Sequence, residues 1–299
     1  MTEHAVVVCA NDENCTRYLA YLLSTMNLGR LSGQSAQPGL SVKTLGQQEI
    51  TIPSKTEQVK ISDFLGLLDD KINHNTQINQ NLEEQANAIY SSFLADHETR
   101  LVNVEDIVLS ANTGADAIQK APIVDYDTGI RCVRVGDMSN KRPVHEWGFT
   151  KVTPEIFKQY QLHKNDIVVT RTASLGLNRL IGEELDAVYN NGLIRISIDI
   201  NKVHPLIVYR QFQTDDYRNY IARIDAETSV RPNMKINYLL KYGFAINSLS
   251  EQNELISLLQ PLFEQQERNT NENQALCSLR DTLLPKLMSG ELDISEIEL

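Results

Sequence analysis

The chain has 299 residues, of which 41% are apolar and 22% charged, so it is long enough for one large domain or two modest ones. Its formal net charge of −11 is unlike that of most DNA-binding proteins, which carry a basic surface. The charge is uneven, however, because residues 101–250 contain 18 Lys and Arg against 17 Asp and Glu, and a near-neutral region can still bind DNA through a local cluster.

The sequence indicates neither a membrane protein nor a metal-binding protein. No apolar run approaches the roughly 20 residues of a membrane helix, and the early apolar stretch at 5–10 follows Glu3 rather than a basic segment. We therefore expect no membrane span and no signal peptide, with the cytoplasm as the compartment. The cysteines form no C-x-x-C pair, which predicts reduced thiols without a zinc site or disulfide framework; they are Cys9, Cys15, Cys132 and Cys277.

The first strongly predicted element is a helix that begins near residue 54 and belongs to an internal repeat. IPSKTEQ at 52–58 resembles INSLSEQ at 246–252, an offset of 194 residues, and QPGL at 37–40 faces RPNM at 231–234 without a gap. Both copies contain the S-x-x-E spacing of a capping box, at Ser54 and Glu57 and at Ser248 and Glu251. Two boxes at the repeat offset predict two equivalent helix starts.

Behind each box, residues recur in alternating steps of four and three, a heptad pattern typical of helices that pair with another helix. A helix over 57–95 would be on the order of 58 Å long, and Pro261 predicts a kink or a short lead-in helix in the second copy. The alternative is two amphipathic helices on unrelated cores. The predicted pairing positions are Ile61, Leu65, Leu68, Ile72, Asn75, Asn79 and Leu82, with Leu255, Leu259, Leu262, Asn269, Asn273 and Leu276.

The region between the two helices is predicted to be a mixed domain of about 150 residues. Short β-rich runs at 129–135, 166–170 and 193–198 are separated by turn-forming stretches at 125–129 and 190–192. One helix is predicted over 206–220. The expected fold class is therefore α+β, a mixed α/β domain flanked by two long helices that pair as an antiparallel coiled coil.

These motifs together resemble the specificity (S) subunits of type I restriction–modification systems. The helix starts KTEQ at 55–58 and LSEQ at 249–252 are similar to that family, as are Leu68 and Asp69 followed by Asn75, and the terminal LLPKLMSGEL at 283–292. Within the mixed domain, KNDIVVTR at 164–171 and the segment 129–138 are also similar. The resemblance covers essentially the whole chain.

The resemblance implies a division into four parts. Residues 1–53 would be the C-terminal remnant of a first target-recognition domain, 54–96 the first long helix, 97–247 a complete target-recognition domain, and 248–299 the second long helix and tail. A full member of the family carries two complete recognition domains, so we expect a half-length or N-terminally truncated form. The simplest complex is then a homodimer that reads a symmetric, interrupted site.

The family also implies partners and cofactors. The expected partners are double-stranded DNA, methyltransferase (M) subunits and a restriction (R) subunit. S-adenosylmethionine, ATP and Mg would bind those partner subunits, so no cofactor is expected on this chain. Methyl transfer would require the target adenine to be flipped into the modification subunit, because a stacked base is inaccessible.

Catalysis by this chain alone is not predicted. The sequence contains no G-x-x-x-x-G-K-[ST] phosphate loop and no H-E-x-x-H metal motif. Asp69, Asp70 and Lys71 lie inside the predicted heptad helix, where a solvated charged face is the simpler interpretation. We therefore interpret the chain as a non-catalytic specificity subunit.

Candidate DNA contacts lie in polar loops of the mixed domain. Arginine can bind guanine bidentately, and Asn or Gln can bind adenine. The loop that contains Arg231 faces Gln37 in the first copy, and such a change in an otherwise matched loop is typical of a position that reads sequence. The predicted base-reading residues are Thr170, Arg171, Thr172, Ser174, Asn178, Ser229, Arg231 and Asn233, and the predicted phosphate contacts are Arg134, Lys141 and Arg142.

Two other functions remain open at this stage. One is a coiled-coil scaffold whose globular domain binds protein rather than DNA, which the acidic total charge favours. The other is an inactive product of a truncated specificity gene. Salt-dependent binding to duplex DNA would separate DNA recognition from the scaffold, because phosphate contacts weaken as salt rises.

Overall fold

The computed structural model describes residues 6–31, 41–227 and 232–294. The chain divides into two compact units, one formed by Met1–Gln77 with Asn269–Leu299 and the other by Ile78–Arg268. Within the described ranges, no helix is both long enough and apolar enough to cross a bilayer.

Helices occupy both units. In chain order over the described residues, they are α1 (Thr16–Thr25), α2 (Val42–Gly46), α3 (Lys55–Asp96), α4 (Val104–Ile107), α5 (Val135–Ser139), α6 (Pro154–Tyr160), α7 (Pro205–Gln211), α8 (Asp215–Glu227), α9 (Ile236–Leu240) and α10 (Leu249–Ser289). Single 3₁₀ turns lie at Leu28–Leu31 and Val144–Glu146.

The described strands all lie in the second unit. They are β1 (Arg100–Asn103), β2 (Val108–Thr113), β3 (Ile123–Val124), β4 (Arg131–Val133), β5 (Gly148–Thr150), β6 (Ile167–Thr170), β7 (Asn178–Leu180), β8 (Ala187–Tyr189), β9 (Leu193–Ile198) and β10 (Gly243–Ile246). They form an antiparallel pair β1-β10, an antiparallel sheet β2-β9-β6-β7, and a sheet β3-β5-β4-β8 in which β4 and β8 run parallel. The mixed fold class is confirmed.

Strand β6 separates two hydrophobic cores of the second unit. Ile167 and Val169 belong to the core that also contains Phe212 and Tyr242, whereas Val168 belongs to the core around Trp147. Because successive side chains of a strand point to opposite faces, a strand covered on both faces is apolar throughout. This is why residues 167–169 form a continuous apolar run rather than an alternating one.

The helix predicted over 206–220 is in fact two helices, α7 and α8. The Thr214 hydroxyl accepts a hydrogen bond from the Tyr217 amide at 3.4 Å, which provides a new helix start within the predicted span. Phe212, at the break, stacks on Tyr217 with ring centroids 4.4 Å apart. Stacking of these aromatic rings therefore accompanies a helix break that the apolar pattern does not reveal.

Both predicted capping boxes are present. The Ser54 amide donates to a Glu57 carboxylate oxygen at 3.0 Å, and the Ser248 amide donates to Glu251 at 2.9 Å. In return, the Glu57 and Glu251 amides each donate to the serine hydroxyl at 3.4 Å. The two long helices therefore begin with the same local geometry, as the repeat predicted.

Helix α10 runs unbroken through Pro261, so the lead-in helix expected there is not formed. Proline removes one backbone donor and crowds the preceding turn. Here, however, Leu255 and Leu259 are buried before it, and Leu262 and Phe263 pack on the same core directly after it. Packing on both sides of the proline holds the turn in place.

The two long helices pack against each other. Inside the first unit, the order of the contacting residues along α10 is the reverse of their order along α3. Arg280 of α10 binds Asp69 of α3 at 3.0 Å, whereas Asn273 of α10 accepts from the Asn75 amide of α3 at 2.9 Å. Ile61 and Leu65 of α3 share a small core with Leu287 of α10. Residues later in α10 thus contact residues earlier in α3, so the predicted antiparallel pairing is confirmed.

In the second unit, Leu255 and Leu259 of α10 lie in the same core as Ala86 and Tyr90 of α3. The Asn79 amide donates to the Gln266 carbonyl at 3.2 Å. The first unit contains the counterpart, since the Asn273 amide donates to the Ile72 carbonyl at 3.2 Å. Each asparagine therefore binds the backbone of the opposite helix.

All thirteen predicted pairing positions are at least half-buried. The buried ones are Ile61, Leu65, Asn75, Leu255, Leu259 and Asn269, and the half-buried ones are Leu68, Ile72, Asn79, Leu82, Leu262, Asn273 and Leu276.

Candidate nucleic-acid interface

The loop that follows β6, residues 171–177, is held from inside by Thr170. This residue is fully buried, and its hydroxyl accepts from the Leu177 amide at 2.9 Å and donates to the Ser174 carbonyl. The backbone closes the same loop through a 2.9 Å bond from the Gly176 amide to the Thr170 carbonyl. Thr170 has no exposed atom with which to meet a base, so it shapes the loop.

Arg171 ties this loop to two other segments. Its Nε donates to the Met234 carbonyl at 3.2 Å, and an Nη donates to the Asn191 carbonyl at 3.0 Å. Its backbone amide and carbonyl bind Gly192 and Met234 at 2.9 and 2.7 Å. The guanidinium therefore joins three loops through uncharged acceptors and keeps its positive charge at their junction.

The turn at 190–192 is packed tightly between neighbours. A Cβ on Gly192 would lie 2.7 Å from a Val135 methyl and 3.0 Å from the Thr172 hydroxyl, so only glycine fits there without displacement. The Asn191 amide also donates to the Ala115 carbonyl at 2.8 Å. Loops that begin near residues 114, 134, 171, 190 and 232 thus meet beside the Leu193 end of β9.

The predicted base-reading residues fall into three groups. Asn178 is committed internally, because its amide donates to the Phe212 carbonyl at 3.2 Å and its oxygen accepts from Gln213 at 2.6 Å. Thr172 is half-exposed, and Ser174 and Asn233 are exposed, with Thr172 and Asn233 joined by a backbone bridge. Ser229 and Arg231 lie outside the described residues, as does Gln37 of the first copy.

The predicted phosphate contacts lie in the segment after β4. Lys141 and Arg142 are exposed, and Lys141 adopts a left-handed backbone with φ of 50°. Arg134 and Arg142 both approach the buried carboxylate of Asp137, at 3.8 and 3.4 Å. One open pocket is lined by Arg134, Gly136, Asp137, Asn140 and Arg142.

Sequence reasoning missed several residues at this junction. Asn191 is exposed at the tip of the 190–192 turn, with its amide 3.5 Å from an Asp116 oxygen. The Asn-Asn-Gly triplet predicted a turn, but nothing in it indicated that the turn would lie beside Arg171. Asp137 and Arg179 were missed as well, because their contacts are made through the fold.

Two titrating groups describe the chemistry of this region. Hydrogen bonds from the Gln119 and Ile118 amides lower the pKa of Asp116, so its carboxylate stays ionised at neutral pH. Burial raises the pKa of Cys132 to about 12, so this thiol is a weak nucleophile. Across the part of the chain that the structure describes, no group of three or more His, Cys, Asp or Glu could hold a metal ion.

The amino-acid sequence is similar to those of known specificity subunits. Residues 1–84 match the family model described as "Type I restriction modification DNA specificity domain". The chain is 23% identical to the type I restriction enzyme MjaIX specificity subunit of Methanocaldococcus jannaschii, over 97% of this chain and 72% of that protein. It is 25% identical to the EcoBI specificity subunit of Escherichia coli, over 56% of this chain and 36% of that protein.

A solved structure shares the fold. The crystal structure of the type I restriction–modification system S subunit from M. genitalium superposes with a TM-score of 0.60 at 15% identity. The match covers 92% of this chain and 73% of that one. The likeness therefore extends over both units of the chain, including the helices and the mixed domain.

Proposed function

We propose that the chain is a specificity subunit of a type I restriction–modification system, as its similarity to such proteins suggests, and that residues 97–247 read one half of a DNA target. The observation that carries this proposal is the junction at Arg171, where several loops are fixed side by side with polar side chains at their surface. Rigid loops with exposed polar groups suit base reading, because a contact to a base edge requires a defined position.

In this proposal, some residues of the junction support the loops, and others, the readers, contact the base edges of DNA. Thr170 and Asn178 act as supports, since their polar atoms bind the protein itself. Arg171 positions the three loops and contributes positive charge. Thr172, Ser174 and Asn233 are the proposed readers. Asn191 is a further proposed reader, and its backbone carbonyl accepts a hydrogen bond from the Arg171 guanidinium. Ser229 and Arg231, outside the described residues, are proposed to extend the same set.

A specificity subunit supplies sequence recognition, and the chemistry belongs to its partners. We propose that M subunits bind S-adenosylmethionine and methylate the adenine, and that the R subunit uses ATP and Mg. The proposal also assigns the protein to the cytoplasm, where its DNA substrate lies. We propose that residues 97–247 form one recognition domain and that two copies of it read the two half-sites of a symmetric, interrupted sequence.

Co-expression with a type I methyltransferase subunit tests this function. We expect methylated adenines to map to one interrupted sequence, and the purified complex to bind a duplex carrying that sequence with an affinity that falls as salt rises. A complex that assembles but binds DNA with neither salt dependence nor sequence preference would contradict the proposal and favour a protein-binding scaffold.

Single substitutions then test the readers. Asn233→Ala and Arg231→Ala are each expected to weaken binding to the cognate duplex by about 1–3 kcal/mol, with little change on a scrambled duplex. The matched control is Asn201→Ala, because Asn201 is an exposed turn residue beyond the other end of β9. Equal losses on both duplexes would remove the base-reading role.

A further inference from the structure

Asp137 is a buried carboxylate between two arginines that reach solvent. Its side chain is 2% exposed, whereas those of Arg134 and Arg142 are 38% and 46% exposed. One carboxylate oxygen accepts from the Arg134 amide at 2.9 Å and lies 3.8 Å from Arg134 Nε, and the other lies 3.4 Å from Arg142 Nη1. A single negative charge therefore holds two positive charges side by side.

The Arg142 side of this cluster is fixed by further contacts. The Arg142 carbonyl accepts from the Trp147 indole at 3.1 Å and from Arg179 Nη1 at 2.9 Å. The Arg179 guanidinium lies 5.3 Å from the centre of the Trp147 ring, and Trp147 itself is 1% exposed. The Trp147 carbonyl in turn accepts from Arg131 at 2.6 Å. The backbone beneath Arg142 is thus anchored to a buried aromatic side chain.

The fold also leaves space for the Arg134 side chain beside Gly148. A Cβ on Gly148 would lie 3.2 Å from Arg134 Nη2, so a larger residue would crowd the guanidinium. Arg134 immediately precedes Val135, whose methyl group packs near Gly192 in the junction of reading loops. The arginine pair is therefore adjacent to the proposed readers.

Charge indicates what this cluster binds. Counting Arg134, Arg142, Arg179 and Asp137, the cluster is positive, although the whole chain has a net charge of −11. An acidic protein gains affinity for DNA only where positive charge is locally concentrated. Guanidinium groups bind phosphate oxygens through paired hydrogen bonds, and they do so at lower entropic cost when they are held in place beforehand.

We propose that Arg134 and Arg142 form a clamp for a DNA phosphodiester and that Asp137 is its positioning residue, an inference that rests on the proposed DNA-reading function. The clamp contributes affinity that does not depend on sequence, next to the loops that are proposed to meet base edges. Asp137 contributes by fixing the two guanidinium groups, and Arg179 and Trp147 contribute by fixing the backbone of Arg142.

The sign of one effect distinguishes positioning from simple charge. Asp137→Asn removes a negative charge near DNA, so electrostatics alone would make binding tighter. If Asp137 positions the clamp, binding becomes weaker even though the protein has become more positive. Glu146→Gln is the matched control, because Glu146 lies exposed in the same segment and the substitution changes the charge equally.

The experiment measures duplex binding by the chain in complex with its methyltransferase subunit, between about 50 and about 200 mM salt. We expect Asp137→Asn to weaken binding about fivefold, whereas Glu146→Gln leaves it unchanged or slightly tighter. The double variant R134Q/R142Q should bind about tenfold more weakly, with a salt slope shallower by about 0.9 for each lost contact. The ratio of cognate to scrambled affinity should not change.

A double-mutant cycle separates positioning from damage to the fold. If Asp137 acts through the arginines, Asp137→Asn adds no further loss in the R134Q/R142Q background, whereas independent damage would add. Tighter binding by Asp137→Asn, additive losses or an unchanged salt slope in R134Q/R142Q would overturn the clamp. Should Asp137→Asn fail to fold, the arginine variants alone decide through the salt slope, since both side chains reach solvent.

The clamp and the reading function fail in different ways. Wild-type complex that prefers its cognate duplex, together with unchanged binding by R134Q/R142Q, would reject the clamp and leave the function standing. Wild-type complex without sequence preference would reject the function itself.

Discussion

The two copies of the repeat enter their long helices through the same contacts. Gln58 donates to the Pro53 carbonyl at 2.9 Å and accepts from the Cys15 amide at 2.9 Å. At the repeat offset, Gln252 donates to the Asn247 carbonyl at 2.9 Å and accepts from the His204 amide at 3.1 Å. Cys15 and His204 are the residues that precede α1 and α7. In each copy a buried glutamine thus joins the start of the long helix to the start of a shorter one.

What lies around these equivalent starts differs. In the first unit, Leu65 packs in a small core with Tyr18 and Leu22, and the described residues of that unit contain helices without strands. In the second unit, Leu259 packs in a large core that includes strands β6 and β9. The comparison teaches that the helix start is a self-contained module, built from nearby residues, which can follow different surroundings.

The largest effect is expected when a charge is placed at a buried position of this module. Leu65→Asp and Leu259→Asp each place a charge where the leucine is at most 1% exposed, and each should cost about 4 kcal/mol or more. Thermal unfolding should show the loss, and co-purification with the methyltransferase should be abolished. The controls for folding are Leu67→Asp and Leu258→Asp, where the leucines are 59% and 47% exposed. A Leu65→Asp variant that still unfolds like the wild type and co-purifies would contradict the equivalence of the copies.

A smaller effect tests the glutamines themselves. Gln58→Ala and Gln252→Ala leave buried or part-buried backbone groups without these partners, so each should reduce the free energy of unfolding by about 1–3 kcal/mol. Urea unfolding of the two variants gives the comparison directly. Gln80→Ala serves as the control, because Gln80 lies exposed on α3. Similar costs would support one shared module, and a cost in only one copy would show that the contacts are equivalent in geometry but not in energy.

The smallest effect tests one chemical difference between the two copies, which is Cys15 in the first and His204 in the second. Burial lowers the pKa of His204 from its usual value of 6.5, so the folded state favours the neutral ring. Protonation therefore favours the unfolded chain. Stability from this group is full above about pH 6.5 and is lost as the pH falls through the folded pKa, below which it changes no further.

We expect His204→Asn to flatten this pH dependence, because asparagine can cap α7 without titrating. Melting temperatures of the wild type and the variant between about pH 7.5 and about pH 5 measure the difference. A wild-type profile that runs parallel to that of the variant would rule out His204 as the titrating group.

Much of the fold was predictable because it depends on short-range patterns. The capping boxes at Ser54 and Ser248 follow from four-residue spacing, and the strand predicted at 193–198 matches β9. The break between α7 and α8 and the unbroken helix at Pro261 were not predicted. Both accompany packing into one large core, to which Phe212 and Tyr217 contribute at the break and Leu259 and Leu262 contribute beside the proline.

The position of the polar loop after β6 was predictable, but the orientation of its side chains was not. The sequence indicated the polar loop after β6, yet Thr170 and Asn178 turn out to bind the protein itself. Whether a polar side chain points outward depends on whether the fold supplies it with an internal partner. No local pattern contains that information.

By itself, the sequence determined the repeat, the family resemblance, the two capped helices and three of the described strands, because these follow from periodicity and from contacts between near neighbours. Only the tertiary structure decided which polar residues became supports and which stayed exposed. It also brought Asp137 between Arg134 and Arg142, and set Arg171 at the meeting of three loops. A buried charge needs partners, and the fold decides which partners are within reach.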